Sequence, residues 1–169
     1  EAIEVGHVLE ELGFVWLEEP FHETKMNLYQ ELCRELTIPV MATETLMYDM
    51  NLSAQWMIHG ATDLLRANAR HGATQVLKMA HFAELYGAGI EINGPGGLFG
   101  LIHTHLGCCI INNSYYEYFV GGSMHKAGEQ IGMMNAPQVV DGCLIPPDAP
   151  GWGAEWDMDF LQKRTVAVV

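Results

Sequence analysis

Amphipathic helical stripes alternate with short apolar runs along this chain, at about 25 residues per pair, and that rhythm restricts it to parallel βα architecture. Ile3, Val5, Val8, Leu9 and Leu12 form a helical stripe that stops at Gly13. Phe14-Val15-Trp16-Leu17 then reads as a buried strand. A helix over 27–36 follows, with Leu28, Leu32 and Leu36 on one face, and Ile38–Ala42 forms the next strand, its Pro39 near the start where a strand tolerates proline. The pattern predicts a helix over 51–58 and a strand over 63–66, then a helix over 74–86 and a strand at Ile90-Glu91-Ile92. A helix over 98–111 leads to a fifth strand, Tyr115–Tyr118. About the last fifty residues lose the rhythm and read as loop-rich, with one short extended stretch at Val139-Val140 or Leu144-Ile145.

Parallel barrels gather their functional groups at the C-terminal ends of strands. Here the first strand ends in Glu18-Glu19-Pro20, the second in Thr43-Glu44, the third near Asn68, the fourth at Asn93 and the fifth at Glu117. Every end carries a carboxylate or a carboxamide. Acids at the same point of successive βα units suit a hard cation such as Mg²⁺, which prefers oxygen ligands. His103 and His105 fall on different faces of one helix, and there is no HExxH pair, so they read as core or surface histidines.

Several function classes drop out. Eight basic residues against twenty-one acidic ones give a formal charge of −13, with no basic patch for nucleic acid. The helix starts lack GxGxxG and GxxxxGK[ST] loops, which counts against nucleotide binding. No apolar stretch approaches a membrane span, and no signal peptide is evident, which points to the cytoplasm. The four cysteines, 33, 108, 109 and 143, have no metal-finger spacing and read as buried apolar residues of a reducing compartment. The chain opens without methionine and already in helical pattern, as the middle of a longer protein would.

Trp16-Leu17-Glu18-Glu19-Pro20 followed by Ile38–Glu44 resembles the mandelate racemase/muconate lactonizing branch of the enolase superfamily. The resemblance continues through Asp63–Asn68, His71–Thr74, Lys78–Glu84, Ile90–Asn93 and Tyr116-Glu117. It ends with Asp141-Gly142 and Pro150–Gly153. It implies the C-terminal portion, about five βα units, of a modified TIM barrel. Residues 1–130 would be a partial barrel, approximately strands four to eight. Residues 131–169 would pack back on the barrel and on an N-terminal capping domain that, with the first barrel strands, is absent here. Five strands are too few to close a barrel. The edges at Phe14–Leu17 and Tyr115–Tyr118 are therefore expected to be open, to be paired by the upstream half of the polypeptide.

The resemblance further implies one Mg²⁺ per active site, with Glu18 and Glu44 as two of its three ligands. It implies a small carboxylate substrate and assembly as a homo-oligomer. Family chemistry removes the proton next to a carboxylate and stabilises the resulting enediolate on the metal. Glu117 resembles the last-strand acid that donates a hydrogen bond to the substrate carboxylate. Asn68 and Asn93 stand where many relatives carry an Asp–His acid/base pair. Neither amide exchanges a proton near pH 7, so two-base racemisation is not expected, but both can bind a hydroxyl. The reading that follows is an acid-sugar dehydratase whose base, a lysine or tyrosine, lies upstream. The alternatives are a cycloisomerase or epimerase of the same superfamily, or a catalytically silent binder of metal and sugar acid.

Overall fold

The computed structural model describes residues 1–46, 48–119 and 123–167. It divides into two compact units, residues 1–92 with 112–115, and residues 93–111 with 116–167.

The first unit is a parallel sheet of four strands in sequence order, β1 (Leu17–Glu18), β2 (Val40–Ala42), β3 (Leu64–Ala67) and β4 (Ile90–Ile92). Helices α1 (Ala2–Glu11), α2 (Met26–Glu35), α3 (Met50–Ile58) and α4 (Ala73–Leu85) precede or connect the strands. The register pairs Leu17 with Val40, Met41 with Leu64, and Arg66 with Glu91. One core cluster packs Tyr29, Leu32, Leu36, Val40 and Trp56, and each such buried side chain is worth roughly 1.5–3 kcal/mol. Gly6 packs closely there, since a Cβ would meet Leu36 Cδ1 at 2.3 Å and that side chain would have to shift. The Asp49 carboxylate caps α3 by accepting from the N–H groups of Asn51 and Leu52.

Two expected strands differ. Phe14 and Val15 are more than half exposed, and β1 begins only at Leu17. The Leu17 N–H donates to the Pro39 carbonyl. Pairing two residues earlier would need an N–H from Pro39, which has none. Tyr115–Tyr118 forms no continuous strand, and within it only Tyr116 makes an isolated β-bridge. The Tyr115 N–H is taken by the Glu91 carboxylate and its carbonyl by the Asn113 amide, so side chains consume the groups a ladder would use. The described sheet is therefore open and four-stranded.

The second unit holds α5 (Gly97–Cys109), α6 (Ser123–Glu129), a hairpin of β5 (Gln138–Val140) with β6 (Cys143–Ile145), and α7 (Met158–Arg164). Both extended stretches expected as alternatives thus form and pair. The turn residues Asp141 and Gly142 have φ of 50° and 78°, the left-handed pair of a tight hairpin. The short α6 and α7 were not expected. Cys108, Cys109 and Cys143 are exposed and only Cys33 is half-buried, which corrects the reading of the cysteines as core residues. Among the described residues no helix is long and apolar enough to cross a membrane.

Candidate active site

Glu18 is the last residue of β1, and Glu44 lies two residues beyond β2. Between them stands Arg66, the third residue of β3, with a side chain only 4% exposed. Its Nε lies 3.1 Å from Glu18 Oε1 and 3.6 Å from Glu44 Oε2. The two carboxylates thus converge on a single nitrogen. The other oxygen of Glu18 accepts from the Trp16 indole N–H at 3.3 Å.

Glu19, the residue directly after β1, joins this group. Its Oε1 accepts the Glu44 N–H at 2.8 Å. Burial pushes the Glu19 carboxyl up from its ordinary value. The Glu44 N–H opposes that rise, the charges of Glu44 and Glu18 add to it, and Arg66 opposes it. One strand further, Glu91 is buried, accepting from Asn113 Nδ2 and the Ser114 and Tyr115 N–H groups at 2.8–3.0 Å. Burial raises its carboxyl too, against those donors and Arg66.

The backbone leading into Glu44 is strained. Thr43 has φ of 92°, a region that β-branched residues rarely enter. Its buried hydroxyl donates to the Arg66 carbonyl at 3.0 Å and accepts the Arg66 N–H at 3.3 Å. The strand end carrying Glu44 is thereby locked to the strand carrying Arg66.

The asparagines do different work. Asn68 is fully buried directly after β3, and its Oδ1 accepts the Arg70 N–H, capping the 3₁₀ turn Ala69–His71. Among the described residues its Nδ2 has no hydrogen-bond partner. Asn93 follows β4 and is buried, and its carbonyl accepts from His103 Nδ1. That bond fixes the tautomer of a buried histidine, so of the core or surface role expected His103 takes the core one. Glu117 Oε2 accepts the Gly94 N–H at 2.9 Å. A Cβ on Gly94 would stand 1.4 Å from the Glu117 carbonyl oxygen, so only glycine allows this approach.

Glu18 and Glu44 fit a divalent cation as far as they go. They are oxygen donors from adjacent strand ends, aimed at one point that already holds positive charge. Among the described residues no set of three His, Cys, Asp or Glu side chains gathers as a complete metal cage.

Residues 1–160 match the family described as enolase C-terminal domain-like. The chain belongs to that family. Its four-stranded parallel sheet and helices are part of the superfamily's barrel domain. The chain is 25% identical to arabinonate dehydratase of Saccharolobus solfataricus, over 90% of this chain and 40% of that protein. It is 26% identical to a D-mannonate dehydratase of Caulobacter vibrioides, over 97% of this chain and 41% of that one. It thus spans about two-fifths of these relatives. Among solved structures it resembles D-glucarate dehydratase from Agrobacterium tumefaciens complexed with magnesium. The TM-score is 0.84 and the identity 30%, covering 96% of this chain and 42% of that one. A mandelate racemase/muconate lactonizing enzyme from Pseudovibrio sp. shares the fold at a TM-score of 0.86 and 19% identity, covering 98% and 44%.

Sequence reading passed over Arg66, Glu19 and Thr43 as site residues. One signal was available for Arg66. A guanidinium within the buried run Leu64-Leu65-Arg66-Ala67 needs an anion, and the strand ends supply them.

Proposed function

We propose that this chain is the metal-ligand-bearing part of a Mg²⁺-dependent lyase that dehydrates an acid sugar, an aldonic or aldaric acid. The observation that carries this reading is the convergence of Glu18 and Glu44 on one cationic point. The names of the relatives, three different sugar-acid dehydratases, support the reaction class. Glu18 and Glu44 would hold the cation, with further ligands from outside this pair. A bound Mg²⁺ supplies electrostatic stabilisation to the negative charge that develops on a substrate carboxylate as its α proton leaves. Within this chain Glu19 positions Glu44 through its backbone, and Thr43 fixes the angle at which Glu44 leaves its strand. By the family resemblance, Asn68 and Asn93 would each offer a hydrogen bond to a substrate hydroxyl, and Glu117 one to the far carboxylate oxygen.

Turnover of α-²H-labelled aldonic and aldaric acids tests the reaction. Loss of deuterium together with loss of water is the expected result. Metal-dependent binding without exchange would identify a silent relative instead, and exchange without water loss an epimerase. Glu44→Gln tests the ligand assignment. It should abolish Mn²⁺ binding and turnover while the metal-free protein keeps its melting temperature. Full turnover in that variant would remove Glu44 from the site.

A further inference from the structure

Arg66 is a buried cation in a chain that carries only eight basic residues, and its Nε lies against both Glu18 and Glu44. We propose that Arg66 is the resident counter-ion of the carboxylate pair, and that a divalent cation enters by exchange with its guanidinium. This inference rests on the metal reading of Glu18 and Glu44 and adds to it a step in which the protein's own cation must give way.

The geometry requires competition. Mg²⁺ binds carboxylate oxygens at about 2.0–2.1 Å. Glu18 Oε1 and Glu44 Oε2 both point at Arg66 Nε, 3.1 and 3.6 Å away. A cation held by both oxygens would have to lie close to Arg66 Nε. Glu18 cannot easily offer its second oxygen instead, because the Trp16 indole N–H holds it. Two positive centres that close would repel strongly at the site's reduced dielectric.

The same geometry supplies a place for the displaced charge. Arg66 and Glu91 are register partners on adjacent strands, and the buried Glu91 carboxylate feels the Arg66 charge. Glu19 feels it as well. The guanidinium can therefore tilt from the Glu18–Glu44 side toward Glu91 and still face an anion. Without that partner, loss of both carboxylates to a metal would leave a buried charge uncompensated, a costly state. Arg66 performs a second service in this arrangement. It holds together two carboxylates that would otherwise repel, so the ligand pair is arranged before metal arrives.

The test uses the full-length protein and Mn²⁺ as the probe, titrated by electron paramagnetic resonance. Arg66→Gln removes the competing charge and should tighten Mn²⁺ binding at least tenfold. Arg66→Lys keeps the charge and should stay within about threefold of wild type, since tenfold corresponds to about 1.4 kcal/mol. Unchanged or weaker binding in Arg66→Gln overturns the exchange and leaves the metal site intact. Absence of Mn²⁺ binding in the wild type removes the metal reading and this inference together. A second measurement needs no charge-deleting variant. Infrared difference spectra of the ¹⁵N-arginine-labelled wild type, recorded with and without saturating Mg²⁺, should show an arginine band that is missing in Arg66→Lys. Mg²⁺ binding with no arginine band overturns the proposal.

Discussion

Glu19 Oε1 accepts the backbone N–H of Glu44 at 2.8 Å, so one of the two adjacent glutamates after β1 fixes the backbone of the acid after β2. The Glu18-Glu19 doublet thus divides its labour between the site and its support. Glu19→Ala removes a charge-assisted hydrogen bond and should cost about 1–2 kcal/mol, at the low end for such bonds because Glu19 is only half-buried. Glu19→Gln keeps an acceptor oxygen and should cost less. Urea unfolding of both variants checks the order, and equal stability of the alanine variant and wild type would count against the support role.

Thr43 combines a strained φ with two hydrogen bonds to Arg66. Thr43→Val keeps the strain and loses both hydrogen bonds to the Arg66 backbone. A loss of about 1–3 kcal/mol is expected. Thr43→Gly also loses the bonds but relieves a backbone cost of order 1–3 kcal/mol. Glycine should therefore be the milder substitution despite removing more atoms. Thermal unfolding that ranks glycine below valine would contradict the strain argument.

Gly94 lies against the backbone of Glu117, with room for hydrogen alone. Gly94→Ala should destabilise by at least the 1–3 kcal/mol typical of overpacking. It should also lower kcat if Glu117 contacts substrate, since the Gly94 N–H holds that carboxylate. A Gly94→Ala protein with wild-type melting temperature would show that this backbone approach is looser than described.

Glu91 predicts a pH dependence. Burial raises its folded carboxyl above the ordinary value of 4.5. Between those two values the folded state binds the proton more tightly than the unfolded state. Its contribution is complete below 4.5 and is lost as pH rises through the raised folded value. Stability attributable to Glu91 should thus fall, not rise, over that window. In Glu91→Gln this segment of the stability–pH curve should flatten, around a lower baseline because an amide cannot accept from all three donors. An unchanged curve in the variant would assign the effect elsewhere.

The cysteines should separate by reactivity. Burial, with Asp63 nearby, pushes the Cys33 thiol up to about 12, whereas Cys108, Cys109 and Cys143 are exposed. A thiol reagent at pH 8 should label three sites quickly in the native protein and the fourth only after denaturation, because the thiolate is the reactive form. Rapid labelling of Cys33 in the native state would contradict its placement.

The alternation of helical and apolar segments was enough to determine the parallel βα class, because side-chain periodicity records which face each segment buries. α1 to α5 and β2 to β4 fall within a few residues of their sequence-based positions. That Glu18 and Glu44 lie at one end of the sheet was legible for a related reason, since strand ends recur at fixed points of each unit. The failures came where non-local partners decide backbone hydrogen bonding. Phe14 and Val15 have strand-like side chains, but Pro39 on the neighbour withholds the N–H they would need. Tyr115 has a strand-like side chain too, but Glu91 and Asn113 occupy its backbone. Arg66 shows the same limit at the site. Its sequence position demanded an anion without saying which. Only the register of β1, β2 and β3, with the positive φ of Thr43, brought Glu18 and Glu44 onto one nitrogen. Local pattern determines which way a side chain faces, whereas the partner it meets depends on the chain segment folded beside it.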